Sequence, residues 1–303
     1  MLLIAGAVVA VFAPSAREPV YQGRGLGEWI NLANGLNPQI AQTSAVASVQ
    51  AIGAEGLPWL LAELQARDSR LRQGPIGQAL GLASLAADRR REQATMGIAL
   101  LGDAAVPAIP ELASRLGDSN RSVSARFALD AIANGGRLPF GNRWPQLTNV
   151  IPVTSVKAHA AVLETFLEVV RGSNAWASAE SLYALGMYSE DASRIAPVAL
   201  SCVHDETPQV RKAAVWVLGR FARDPVPVIP ELIRLLDDPV ADVRQMAAFA
   251  LGRYYRQAKT AVPRLLEARR DMDPEVRKVA NESLDKIDPE TAAAIPDLPG
   301  FKP

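Results

Sequence analysis

A period of 33 residues constrains this chain more than any other feature of its sequence. Pro197, Pro230 and Pro263 are 33 apart, and so are Asp205, Asp238 and Asp271. The pairs Val210-Arg211, Val243-Arg244 and Val276-Arg277 keep the same step. So do Ala214, Ala247 and Ala280, and Leu185, Leu218, Leu251 and Leu284, the first three of these leucines being followed by Gly. A period of about 20–50 residues marks a stacked array, in which a unit too small to cover its own apolar face buries it against its neighbours.

Each unit reads as two helices. The first opens near its Pro, where the missing N–H is unpaired in any case. Leu232, Ile233, Leu235 and Leu236 give it an apolar stripe, and an Asp marks a short turn. The second helix follows caps such as Thr207 before Pro208 and Asp273 before Pro274, while the middle unit has its Pro at 239. Val210, Ala214, Val217 and Leu218 share one helical face. The repeated alanines let helices approach closely, and Gly219 and Gly252 are expected to end or bend the second helix. Upstream the pattern is less regular. Pro110 and Val123 keep the offset of Pro230 and Val243, and Glu111-Leu112 matches Glu231-Leu232. Ile52-Gly53, Leu80-Gly81 and Leu101-Gly102 read as second-helix ends, and Pro58-Trp59-Leu60-Leu61 as a first-helix start. The expected fold class is all-α, an α-solenoid of stacked antiparallel helix pairs.

The string Asp205…Val210-Arg211…Ala213-Ala214…Leu218-Gly219 resembles HEAT repeats, in the short form also called HEAT-like repeats of phycobilisome lyases. Asp238…Val243-Arg244…Ala247-Ala248…Leu251-Gly252 fits with a shifted alanine pair, and Val276-Arg277…Ala280…Leu284 fits more loosely. The resemblance runs over residues 38–290 and is strongest from 175. Ankyrin repeats have a similar length, but their Thr-Pro-Leu-His signature is absent. Glu18-Pro19-Val20-Tyr21-Gln22-Gly23-Arg24…Glu28-Trp29-Ile30 resembles the segment after the membrane anchor in some bacterial HEAT-repeat proteins.

The layout expected from these patterns has five parts. Residues 1–16 form a signal-like or membrane-anchor segment, since Met1–Ala13 is apolar and the first side-chain charge is Arg17. This points to export or anchoring at the cytoplasmic membrane of a bacterium, with a cytoplasmic location as the alternative. Irregular repeats follow over 17–134, opening with a short helix near Leu26–Ala33. A Pro/Gly-rich loop spans 135–156, regular repeats span 157–290, and 291–303 is a Pro-rich tail, the chain after Asp288 either fraying or lying across the last repeat. The regular block begins with the helix pair Lys157–Arg171 and Asn174–Met187. A length of 303 residues suggests two domains as a prior, which the repeat pattern replaces with one array broken near 135–156.

Little in the composition supports catalysis. There are two histidines, His159 and His204, and one cysteine, Cys202, which excludes an intramolecular disulfide and a multi-thiolate metal site. Gly23-Arg24-Gly25-Leu26-Gly27 superficially suggests a phosphate loop, but no strand is expected before it and its third glycine is misplaced. Cys202-Val203-His204-Asp205 falls at a helix end and turn, so a structural role is expected. The repeated Asp and Arg six residues apart read as a ladder, with Asp serving turn N–H groups and Arg bridging adjacent repeats. Arg89-Arg90-Arg91 reads as a solvated helix start. No catalytic, cofactor or metal residues are assigned.

One feature stands apart from the scaffold. Tyr183, Trp216 and Phe249 are again 33 apart, on the second helices, flanked by Lys212, Arg220, Gln245 and Arg253. In the resembled family this position is commonly polar and lies on the concave side. Aromatics beside Arg and Lys suit a protein or peptide groove; equally, such rings could fill space between repeats. The leading expectation is a non-enzymatic scaffold that binds another protein or peptide through the concave face of its second helices. A bilin lyase-like chromophore-handling protein is the alternative that the resemblance raises. A nucleic-acid-binding HEAT protein is a further one, but Lys plus Arg and Asp plus Glu are 32 each, and residues 205–290 hold 15 basic and 15 acidic side chains, so no nucleic-acid partner is expected.

Overall fold

The computed structural model describes residues 16–34, 39–66, 85–118, 122–134 and 155–294. The apolar start Met1–Ala13, the pair Leu80-Gly81, residues 135–154 of the Pro/Gly-rich loop and the tail from 295 lie outside these. Among the described residues the protein is an all-α solenoid, and strand is confined to a hairpin of Val20–Tyr21 (β1) with Arg24–Gly25 (β2). The chain divides into two compact units, Met1–Thr165 and Phe166–Pro303.

Unit 1 contains the hairpin and α1 (Leu26–Asn34), α2 (Gln39–Ile52), α3 (Leu57–Glu63), α4 (Leu85–Leu101), α5 (Ile109–Arg115) and α6 (Ser122–Asn134). It also takes in the start of α7 (Val156–Val170). Leu26, Trp29, Ile30 and Ala33 form the buried face of α1 at helical spacing. The glycine-rich stretch before it has a structural purpose. The Glu18 carboxylate accepts the Gly27 N–H at 2.7 Å, and a β-carbon on Gly25 would fall 2.6 Å from Glu18 Oε1. The chain thus fills the anion position at its own helix N-terminus. A two-residue strand does precede these glycines, contrary to expectation, because the tight turn at Gln22-Gly23 lets Val20 pair with Gly25. Gly53 and Gly102, at φ +58° and +54°, stop α2 and α4 in the left-handed conformation that glycine tolerates. Arg90 of the basic run is held in an ion pair by Glu63 of α3, and Arg91 donates to the Ala66 carbonyl at 2.9 Å.

Unit 2 continues with α8 (Ala175–Leu185), α9 (Ala192–Ser201), α10 (Pro208–Phe221), α11 (Pro225–Arg234) and α12 (Ala241–Arg253). It closes with α13 (Val262–Ala268), α14 (Pro274–Ile287) and α15 (Pro289–Ala294). The second helices α8, α10, α12 and α14 pack side by side in chain order, and the first helices α11 and α13 lie against α12 and α14. The repeated apolar positions form the core: Val210, Ala214 and Leu218, then Val243, Ala247 and Leu251, then Val276, Ala280 and Leu284 are all buried. Tyr254 fastens adjacent repeats, its hydroxyl donating to the Arg223 carbonyl at 2.9 Å, and burial pushes its phenol well above the usual range.

The ladder is built as its spacing implies. Arg211 donates through Nε and Nη2 to Asp238 at 2.7 and 2.9 Å, and Arg244 does so to Asp271 at 2.8 and 2.8 Å. The Nη1 groups of Arg211, Arg244 and Arg277 each donate at 2.8 Å to the backbone carbonyl of the Asp six residues earlier. Asp205, Asp238 and Asp271 each accept the N–H two residues on, at 2.8, 2.9 and 2.8 Å. One aspartate therefore closes its own turn and anchors the arginine of the preceding repeat. The Arg244 guanidinium, helped by the Asp273 N–H, holds the Asp271 carboxyl below its ordinary value of 3.8. A carboxyl depressed in the folded state stabilises above its unfolded pKa, and that contribution disappears as pH falls through the folded value. Urea stability is expected to decline below about pH 4, and Asp271→Asn should be less stable at neutral pH with a shallower acid decline. An unchanged acid limb in that variant would contradict the assignment.

Four expectations about helix ends are corrected. Thr207 occupies the N-cap position of α10 without a side-chain cap; Asp273 does cap α14, accepting from Glu275 and Val276 at 2.9 and 3.2 Å. Gly219 and Gly252 lie inside α10 and α12 rather than ending or bending them. They allow close approach, since β-carbons there would fall 2.8 Å from Ala250 Cβ and 2.6 Å from Ser283 Oγ. Pro197 and Pro230 sit inside α9 and α11, whose starts at Ala192 and Pro225 come earlier than expected. The buried Ile195 and Ala199, and Val228 and Leu232, hold those turns by packing despite a lost backbone bond. Of the two courses expected after Asp288, fraying is not the one taken over 289–294: the chain forms α15 against α14, where the Asp288 side chain accepts the Thr291 hydroxyl at 2.9 Å.

Candidate functional site: an aromatic row on the second helices

Ridge positions of α8, α10 and α12 carry Tyr183, Trp216 and Phe249. Their neighbours in sequence, Leu182 and Ala184, Val215 and Val217, Ala248 and Ala250, are buried. The ridge residues are not: Tyr183 and Trp216 are half-buried and Phe249 is 40% exposed. Tyr183 and Trp216 meet edge to face, with ring centroids 5.6 Å apart and planes at 61°, a favoured aromatic geometry. The indole lies over the end of α8, where a β-carbon on Gly186 would fall 2.0 Å from Trp216 Cζ3. The absence of a side chain at Gly186 therefore decides where the indole lies.

On the N-terminal side of the rings is a depression lined by Trp176, Tyr183, Gln209, Lys212, Asp242 and Val243. Lys212 reaches across from α10 to Asp242 on α12 at 2.6 Å. Gln245 is half-buried one turn before Phe249, and on the C-terminal side of the rings Arg220 and Arg253 are exposed in the last turns of α10 and α12. The structure thus brings Tyr183, Trp216 and Lys212 together across adjacent helices, and places Phe249, Gln245 and Arg253 on the neighbouring ridge. Last-turn cations also complement the helix dipole.

Two further residues belong to this face, Trp176 and Lys286. Trp176, 43% exposed, lies two turns before Tyr183, but its counterparts Gln209 and Asp242 are not aromatic. Lys286 continues the series Arg220, Arg253 in the last turn of α14 and is exposed; the 33-residue step itself was the available signal.

The chemistry of this face is that of contact. The cluster Cys202-Val203-His204-Asp205 is pulled apart: His204 Nε2 lies 2.9 Å from Glu231 Oε2, Asp205 closes its turn, and burial pushes the Cys202 thiol up, away from the reactive thiolate. Among the described residues, no three His, Cys, Asp or Glu side chains converge as a metal set.

Residues 208–254, from the start of α10 to Tyr254, match the family described as HEAT-like repeat. This segment, α10 to α12, carries the HEAT-like repeat. Among solved structures, similarity extends to a designed armadillo repeat protein in complex with the peptide (KR)4, at 16% identity over 86% of this chain and 98% of that one, with a TM-score of 0.44. An engineered protein matches at 18% identity over 88% of this chain and 99% of its own, with a TM-score of 0.46. Kap121p bound to Pho4p matches at 15% identity over 86% of this chain but 29% of that chain, with a TM-score of 0.49. No curated protein matches this sequence. Within the HEAT-like repeats, Trp216 and Phe249 stand at the same position of successive units.

Proposed function

We propose that this chain is a non-enzymatic repeat scaffold that binds another protein or peptide across its second helices, at Tyr183, Trp216 and Phe249. The observation that carries the reading is the row itself. Three aromatic side chains occupy one register on successive helices, partly exposed, while Val, Ala and Leu fill the core positions beside them. Aromatic rings give a large contact area at low entropic cost, and they dominate measured binding energies at protein surfaces. The uncharged N-terminal run supports a location at or beyond the cytoplasmic membrane.

The test separates groove from core by comparing two truncations, with binding read on peptides selected against the full chain from a random displayed library. Phe249→Ala is expected to weaken those peptides by about 10- to 100-fold and to change stability by under about 1 kcal/mol. Trp216→Ala should lose both binding and stability, because its indole rests on Tyr183 and Gly186. A Phe249→Ala variant that unfolds easily yet still binds the peptides would assign these rings to packing.

A further inference from the structure

Resting on that reading, we infer that the partner segment is acidic, with carboxylates that seat on a row of cations formed by Arg220, Arg253 and Lys286. These three are 33 residues apart and stand in the last turns of α10, α12 and α14. Arg220 and Arg253 follow Trp216 and Phe249 by four residues and so share their helix face. All three cations are exposed, and none has an ion-pair partner among the described residues.

Charge pairing on the rest of the face sharpens this. On the N-terminal side of the aromatic row, Asp242 is paired with Lys212 at 2.6 Å and Glu275 with Lys278 at 4.0 Å. The other arginines of the second helices, Arg211, Arg244 and Arg277, are committed to the ladder, the first two through carboxylates and Arg277 through the Asp271 and Met272 carbonyls. The surplus charge beside the rings is therefore positive and confined to one edge, and Glu282 closes the aromatic register on α14. Packed helices lie about 8–10 Å apart, and a polyproline II segment has three residues per turn with a rise of about 3.1 Å per residue. A segment crossing the ridges in that form therefore presents every third side chain to successive helices. An acid at that interval, with apolar residues between, matches both rows at once. The paired carboxylates of Asp242 and Glu275 along the opposite edge disfavour a polyanionic nucleic acid, whose phosphates would meet both edges.

The experiment is the same library selection on the full chain, now read for sequence and charge dependence. Selected peptides are expected to carry Asp or Glu about three residues apart. They should lose affinity at least about tenfold with Arg220→Gln plus Arg253→Gln, keep most of it with Arg220→Lys plus Arg253→Lys, and weaken in high salt. Circular dichroism should show both pairs folded, since these side chains are exposed. Selected peptides that need Phe249 but are neutral or basic, or ignore the two arginines, would overturn the acidic partner and leave the aromatic groove standing. Peptides that ignore Phe249 as well would overturn both. Binding of an oligothymidylate that displaces the peptides would assign the row to single-stranded nucleic acid and overturn the inference.

Discussion

Asp238→Ala is expected to cost about 3–5 kcal/mol of stability in a urea titration. Asp238 is 7% exposed, accepts two bonds from Arg211, and also accepts the Val240 N–H at 2.9 Å that closes the turn into α12. Truncation leaves a largely buried guanidinium and a turn N–H without an acceptor, and uncompensated buried charge is the costly part of breaking such a pair. The comparison that isolates this cause is Arg211→Met with Asp238→Leu, which removes both charges and should recover a substantial part of the loss. A single-variant cost below about 1 kcal/mol would mean that the ladder is only a surface ornament. Because repeat arrays are held by nearest-neighbour interfaces, the loss should open amide exchange first in α10 and α12.

Gly219→Val is expected to be the second most damaging change, at about 1–3 kcal/mol. A β-carbon at this position would lie 2.8 Å from Ala250 Cβ and 2.9 Å from Ala250 Cα. Since one of those atoms is backbone, α10 and α12 must move apart, which loosens the interface that also aligns Trp216 with Phe249. Gly219→Ala tests the balance more finely. Alanine favours a helix interior by about 1 kcal/mol over glycine, yet the backbone contact should still make the change destabilising. Adding Ala250→Gly removes one of the two clashes and should restore only part. A Gly219→Val protein as stable as the parent would show that the helix spacing is not set there.

Much of the fold was legible because period and burial coincide. Val210, Ala214 and Leu218 are core for the same reason that they recur: each faces the next repeat. The Asp205, Asp238 and Asp271 ladder was readable too, since a turn acceptor and a bridging arginine fall at fixed offsets. Errors gathered at element ends. Thr207 looks like a cap, but its hydroxyl makes no cap bond, whereas Asp273 at the same position of α14 does, and which rotamer a cap side chain takes is not written in the local sequence. Pro197 and Pro230 look like helix starts, but buried residues on either side extend the helix through them.

Repeat length, the two-helix unit, the core positions, the acid–arginine ladder and the aromatic register all depend on spacing along one chain, and are therefore readable from it. What the side chains do across helices came from the packing. It placed Trp216 on the glycine gap at Gly186, and engaged Lys212 with Asp242 while leaving Arg220 and Arg253 without an ion pair among the described residues. Those outcomes depend on distances between residues about 30 positions apart on packed helices, and helix separation is set by the whole interface rather than by any local pattern.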